Sequence, residues 1–380
     1  MDMKLIHEYT LGLLRLMLKG DSFVLPENVD FEELFQFSHS HGIENIVYAG
    51  LQKVGVSIPE KAQLDFDEES DLTIMMEAMQ ACVLEEISEA FNEAGIDYIP
   101  LKGSVIKYLY PMPDFRRSGD IDILVRAEDE QRAAAELEKL EFTQTGESNE
   151  IHTGYTKPPN IELELHNAIA RYDDRFYNFC KNPWKYAVPK EANSHEYRFS
   201  NEFFYTHLIA HLCKHLYGGG AGLRLFADIY IIQSKVELNT KLLSSYLKKA
   251  KLTEINEMIT VLINKWFFDE APTDAAIATL EEFVLNGGSF GTREQARLMR
   301  EHTPISGRMN RYMRKLFPSK KILMQRYPQL SERLPWIVMW FYRVYYMLRF
   351  GKDKMARYSA ELFEGSTADE AMAKILNAVK

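Results

Sequence analysis

The chain has 380 residues, 46% of them hydrophobic and 26% charged. That balance describes a folded globular protein and excludes a disordered or fibrous one; the length suits two or three domains, or one with a large helical extension. A net charge of −10 speaks against non-specific nucleic-acid binding by the protein as a whole.

Met1 to Asp21 lacks a long apolar run and a small-residue cleavage site, so no signal peptide is expected. Cys82, Cys180 and Cys213 are far apart and odd in number. They make neither a disulfide framework nor a CxxC knuckle, and the economical expectation is a reducing, cytoplasmic setting.

Residues 1 to about 94 read as helical. Leu11, Leu14 and Leu18 share a helical stripe, Phe31 to Leu51 keeps helix-compatible spacing, and Asp71 to Ala94 repeats its apolar positions at helical intervals. Gly95 falls where a left-handed cap belongs, and the His39-Ser40-His41-Gly42 cluster reads as a helix end or tight connection. Tyr98 to Leu101 then forms a short strand-like run, followed by a Lys102-Gly103-Ser104 turn and a short helix from Val105 to Tyr110. Past a proline-containing loop comes a strand, Asp120 to Val125. Glu128 to Leu140 suits a helix, and Thr153–Thr156 and Ile161–His166 suit strands around the Pro158-Pro159-Asn160 turn.

Residues 183–199 read as an irregular connection. Ser200 stands where it would N-cap a helix from Asn201 to Tyr217 that Gly218-Gly219-Gly220 would end, and helical patterning continues from Leu223 almost to Lys380. The expected fold is α+β, a small mixed sheet flanked by helical regions, divided as 1–91, 92–190 and 191–380.

The chemistry concentrates in two strands. Residues i and i+2 of a strand share a face, so Asp120 and Asp122 stand side by side while Ile121, Ile123 and Val125 face the core. Adjacent carboxylates raise each other's pKa unless a cation lies between them, and Mg²⁺ carrying substrate phosphates suits such a pair. On Ile161–His166, the residues Glu162, Glu164 and His166 share the other acidic face. Two-metal chemistry places a third carboxylate beside such a pair, and Glu162 and Glu164 both qualify on geometry.

Gly103-Ser104, Asp120-x-Asp122 and a later strand acid together resemble the nucleotidyltransferase superfamily that includes DNA polymerase β and kanamycin nucleotidyltransferase. The fuller string is Leu101-Lys102-Gly103, Leu109-Tyr110-Pro111, Arg116, Gly119 to Val125 and Glu164-Leu165-His166. It is similar to a bacterial family of uncharacterised nucleotidyltransferases. The resemblance spans about residues 30–235, with sharp motifs in 101–125 and 162–166. It implies transfer of NMP from an NTP, with ATP favoured, to an acceptor, and release of pyrophosphate. Asp120, Asp122 and Glu164 would bind two Mg²⁺ ions, Mn²⁺ being an alternative, and Glu164 would act as base. It favours Glu164 over Glu162 because the acid lies two residues before His166. Gly103 and Ser104 would hold phosphates through backbone N–H groups and the hydroxyl. Lys102, Arg116, Ser118 and His166 would complete the nucleotide site, His166 either touching phosphate or orienting a neighbour. Gly119 stands where better-known members carry Ser, and the interval before Asp120 holds a proline-rich insertion. Both departures bear on the acceptor, which is expected to be a small molecule or a protein rather than nucleic acid.

Other features have plainer readings. His207, His211 and His215 line one helical stripe without the acid of an HExxH zinc motif, and read as polar positions bordering the cleft. Lys214, Arg224 and Asp228 read as ion-pair residues, with contact to phosphate or acceptor as the alternative, and Gly218–Gly222 reads as a helix stop. From Arg308 to Arg357, thirteen basic residues face two acids, a net +11 that leaves −21 for the remainder. That region reads as a solvated or internally paired helical face, with an anionic surface or partner as the alternative. Within it, Pro335–Phe350 reads as a buried helix, with an interfacial membrane helix or partner groove as the alternative. The two rivals to an enzyme are a catalytically silent nucleotide-binding module and a scaffold built on these basic helices.

Overall fold

A computed structural model describes residues 3–26, 28–171, 174–192, 194–269, 274–289, 291–292, 295, 335, 337–341, 345 and 370–379. Four helices come first: α1 (Met3–Leu18), α2 (Phe31–His41), α3 (Glu44–Val54) and α4 (Glu60–Glu93). The Asp30 side chain accepts the Glu33 amide to start α2, and Gly42 ends it at φ 65° by donating to the Ser38 and His39 carbonyls. The histidine cluster is therefore a helix end. His41 also ties elements together: Leu223 donates its amide to Nδ1 at 3.1 Å, and Nε2 donates to the Leu285 carbonyl at 3.2 Å. Gly95, at φ 64°, ends α4 while the Ile96 amide reaches back to the Phe91 carbonyl.

The sheet segment follows as β1 (Tyr98–Pro100), α5 (Gly103–Ile106) with a 3₁₀ turn at Lys107–Leu109, β2 (Asp120–Val125), α6 (Glu130–Lys139), β3 (Thr143–Ser148), β4 (His152–Lys157) and β5 (Ile161–His166). Spatial order is β1-β2-β5-β4-β3, with β2 and β5 parallel and the other pairs antiparallel. Strand β3 was not expected from sequence. It is a polar edge strand with a register shift, and polar edges carry little hydrophobic alternation.

After α7 (Tyr177–Cys180), the 183–199 connection proves to contain an antiparallel pair, β6 (Ala187–Pro189) with β7 (Tyr197–Phe199). These three-residue strands are too short to show a period. Helices α8 (Asn201–Gly218), α9 (Leu223–Lys235), α10 (Thr240–Ala250), α11 (Thr253–Phe268), α12 (Ala275–Leu285) and α13 (Glu370–Val379) complete the described chain. Ser200 occupies the N-cap position of α8, but its buried hydroxyl makes no capping bond. Most of the basic 308–357 region lies outside the described residues. Within Pro335–Phe350, residues 337–341 are helical, with Met339 buried and Ile337, Val338 and Phe341 exposed. No helix among the described residues is long and apolar enough to cross a membrane.

The sheet separates two apolar clusters. Ile121, Ile123, Val125, Leu163 and Leu165 pack against Ile87 and Phe91 of α4 and Ala133 and Leu137 of α6. The opposite face meets the larger helical cluster, to which Leu124 belongs. Burying such aliphatic side chains stabilises by roughly 1.5–3 kcal/mol each. A one-residue slip would drive Asp120, Asp122 and Glu164 into the apolar layer, so hydrophobic alternation fixes where the acids point.

Candidate active site

In the parallel ladder Asp122 pairs with Glu164, Asp120 with Glu162, and Leu124 with His166. Ligand oxygens of Asp120, Asp122 and Glu164 lie within 4.8 Å of one another. Glu162 shares their face but is exposed and lies outside this group, so the structure brings Glu164 to the aspartates.

Two basic groups hold the carboxylates in place. Lys102 Nζ donates to Asp122 Oδ1 at 2.7 Å, and His166 Nε2 lies 2.8 Å from the same oxygen and 3.1 Å from Glu164 Oε2. Burial alone would push the Asp122 carboxyl up, but the Lys102 ammonium and His166 outweigh it and hold this acid far below the usual carboxylate range. Glu164 is likewise held low: its contacts to His152 and His166 overcome its burial. His166 is raised, since its two carboxylate contacts outweigh burial. Asp120 is pushed up to about 6, by burial first and then by Asp122. A low-lying and a raised carboxyl side by side mark a pair whose repulsion is only partly compensated, and an all-oxygen set with that imbalance fits a divalent cation.

Lys102 itself sits at φ 44°, ψ −116°, a backbone conformation rare for a side-chain-bearing residue. Such strain persists only where surrounding structure enforces it, and it collects at functional sites. The Leu101 amide donates to the Asp122 carbonyl at 2.9 Å, and this extension of the β1–β2 pairing aims Lys102 at the acids. Ser104 turns its amide onto the Leu101 carbonyl at 3.1 Å, so what it can offer a phosphate is its hydroxyl.

Arg116 and Ser118 lie beneath Gly103. A Cβ on Gly103 would fall 2.2 Å from Ser118 Oγ and 2.6 Å from Arg116 Nη1. The Arg116 guanidinium, 7% exposed, is fixed from below: Nη2 donates to Asp228 Oδ2 at 2.9 Å, Nε to Oδ1 at 3.3 Å, and Nη1 to Ser118 Oγ at 3.0 Å. Tyr110 donates its hydroxyl to the same Asp228 at 2.8 Å. The ion-pair reading of Asp228 therefore holds, and its partner is Arg116. Gln80 of α4 donates to the Ser118 and Gly119 carbonyls, fixing the approach to Asp120.

A small cavity of about 20 Å³ adjoins the site, lined by Lys102, His166, His207, His211 and Lys214 among others. Of the α8 histidine stripe, His207 and His211 line this cavity. His207 is buried with neither nitrogen hydrogen-bonded, and burial, then Lys102 and Lys214, lower it to about 3. His211 and His215 contact each other at 3.1 Å, and the three histidines form no metal-binding group among the described residues. Sequence reasoning passed over His152. Its Nδ1 lies 2.8 Å from Glu164 Oε2, and strand alternation could have found it once β4 was known to pair with β5.

A family model described as uncharacterised nucleotidyltransferase matches residues 27–268. None of the curated proteins matches the chain. Among solved structures, an antigenic nucleotidyltransferase-like protein from Paracoccidioides brasiliensis is similar at 16% identity; the match covers 47% of this chain and 91% of that one, with a TM-score of 0.31.

Proposed function

Since the chain belongs to the uncharacterised nucleotidyltransferase family, we propose that it moves a nucleoside monophosphate, AMP from ATP in the favoured case, onto a hydroxyl of a small molecule or protein, releasing pyrophosphate. The observation that carries this reading is the Asp122–Glu164 pairing, which gathers three carboxylates beside the Gly103-Ser104 turn. Asp120, Asp122 and Glu164 are the residues to hold Mg²⁺, two ions in the favoured form with Mn²⁺ as substitute. A divalent ion there would neutralise phosphate charge and lower the pKa of the attacking hydroxyl.

The remaining roles fall to the chain's own groups. Glu164 accepts the proton of the acceptor hydroxyl. Lys102 pairs with Asp122 and would give its ammonium to the triphosphate if a cation took over the balancing of that carboxylate. The Ser104 hydroxyl and the close backbone approach at Gly103 receive phosphate oxygens, while Arg116 lends positive charge from beneath and Ser118 relays its position. His166 orients Asp122 and Glu164.

The acidic net charge makes nucleic acid a poor acceptor, and an anionic surface or partner at 308–357 belongs to the same proposal. So do a cytoplasmic setting and the three-part division at residues 91 and 190. ATP titration with and without Mg²⁺, on wild type and on Asp120→Asn/Asp122→Asn, tests the reading. Metal-dependent binding that is the same in both would sink it. Labelled ATP incubated with cell extract then identifies the acceptor as a labelled small molecule, protein or RNA.

A further inference from the structure

Glu164 belongs to a second ligand group. His152, Glu164 and His166 also place ligand atoms within 4.8 Å of one another. The grouping follows from the sheet. Glu164 and His166 share a face of β5, and His152 of β4 is the direct antiparallel partner of His166. Gly154 is the partner of Glu164, so β4 sets no side chain directly opposite it and His152 reaches the carboxylate from two residues away.

Both imidazoles turn a nitrogen to the Glu164 carboxylate. His152 Nδ1 lies 2.8 Å from Glu164 Oε2 and has no hydrogen-bond partner of good geometry. His166 Nε2 is hydrogen-bonded to Asp122 and Glu164, and Nδ1 faces the Ala168 carbonyl at 3.4 Å; a cation between the acids would replace the Nε2 proton while Ala168 keeps the one on Nδ1. We propose that His152, Glu164 and His166 form a mixed nitrogen–oxygen position for a borderline divalent transition metal, of the Mn²⁺, Co²⁺ or Zn²⁺ class, with Glu164 shared with the all-carboxylate position. Imidazole nitrogen suits such ions, whereas Mg²⁺ selects oxygen. The protein thus holds two unlike cation positions joined through one carboxylate. The inference rests on reading Asp120, Asp122 and Glu164 as a metal-dependent centre.

Asn149 braces His152 from the other side: its Nδ2 contacts His152 Nε2 at 2.5 Å while its Oδ1 accepts the Ile151 and His152 amides. Coordination through Nδ1 moves the imidazole proton to Nε2, so the Asn149 amide must turn away. Asn149→Asp gives Nε2–H an acceptor and should tighten transition-metal binding.

The test uses chelator-stripped protein titrated with Co²⁺ alone and with Mg²⁺ alone, following the Co²⁺ visible absorption and competition between the ions. Expected are Co²⁺ binding at least about tenfold tighter than Mg²⁺, and in His152→Ala a loss of about tenfold or more in Co²⁺ affinity with a several-fold smaller loss for Mg²⁺. Equal Co²⁺ affinity in wild type and His152→Ala overturns the proposal. Nitrogen modulation in pulsed electron paramagnetic resonance of Mn²⁺-loaded wild type needs no variant, and absence of imidazole coupling overturns it too. Mg²⁺-dependent ATP binding without any histidine-dependent Co²⁺ site would defeat this inference and leave the nucleotidyl-transfer reading intact. A histidine-dependent Co²⁺ site without metal-dependent ATP binding would do the reverse.

Discussion

Asp122 and Glu164 face each other across the parallel β2–β5 ladder, whereas Glu162, on the same face, pairs with Asp120 and reaches solvent. A shift of two residues along one strand therefore separates an acid gathered with Asp120 and Asp122 from a solvated one. Glu164→Gln should weaken metal-dependent ATP binding by about 100-fold or more, since a metal ligand contributes several kcal/mol. Glu162→Gln, an exposed change away from the cluster, should leave it within about twofold. Calorimetric titration of both variants decides, and equal losses would contradict the assignment.

Stability without metal should fall as pH rises. The Asp120 carboxyl is pushed from 3.8 to about 6 by burial and by Asp122, so the folded state favours its protonated form. Stabilisation from that proton is complete below about 4 and lost as pH passes 6, an effect of about 3 kcal/mol. His166 has the same sign, because its folded pKa lies above 6.5 and its contribution also disappears with rising pH. Glu164 has the opposite sign, but its contribution is already complete above the ordinary 4.5. Urea unfolding of chelator-treated protein from pH 4.5 to 8 should show the decline, and Asp120→Asn should flatten it and be the more stable protein at pH 8. A wild-type profile no steeper than the variant's would count against the repulsion.

Gly103 is held to glycine by contact from below. Ser118 Oγ and Arg116 Nη1 fill the place of its Cβ, and the hydrogen bonds between Arg116 and Asp228 keep that guanidinium from swinging aside. Gly103→Ala should cost about 1–3 kcal/mol through overpacking, and raise the ATP dissociation constant by tenfold or more. Gly119→Ala has open space around it and should cost under about 0.5 kcal/mol. Thermal melts and ATP titration of the pair provide the check, and equal behaviour of the two glycines would refute it.

What the sequence disclosed tracks what local pattern can encode. Alternation in Asp120–Val125 and Ile161–His166 revealed both strands and the face of each acid, because buried aliphatics fix the register. The cap at Gly42 and the stop after Gly218 were legible for a similar reason: a glycine in the left-handed region marks a helix end. Strand β3 and the β6–β7 pair lacked an apolar period. The β4–β5 hairpin was legible at its proline turn, but β4 begins at His152, one residue before the expected Thr153, so His152 fell outside the strand that was read. Arg116 looked like a free phosphate ligand because its partner Asp228 stands 112 residues later in the chain.

That long-range pair yields the last prediction. Arg116 and Asp228 are both almost fully buried, and Arg224 lies near enough for its own pKa to be lowered to about 10, chiefly by burial and then by Arg116. Asp228→Asn would leave the buried Arg116 guanidinium without its carboxylate and close to that of Arg224, a loss of about 3–5 kcal/mol. Tyr110→Phe removes one hydrogen bond to the charged acceptor and should cost about 1.5–3 kcal/mol. Replacing both members of the ion pair, as Arg116→Met/Asp228→Leu, should recover much of the stability, because desolvation of two charges is removed with their attraction. Nucleotide affinity should not recover with it, since Ser118 and the Gly103 turn would still lack the guanidinium that positions them. Urea unfolding alongside ATP titration separates the two effects, and a double variant restored in both would show that Arg116 serves the fold alone.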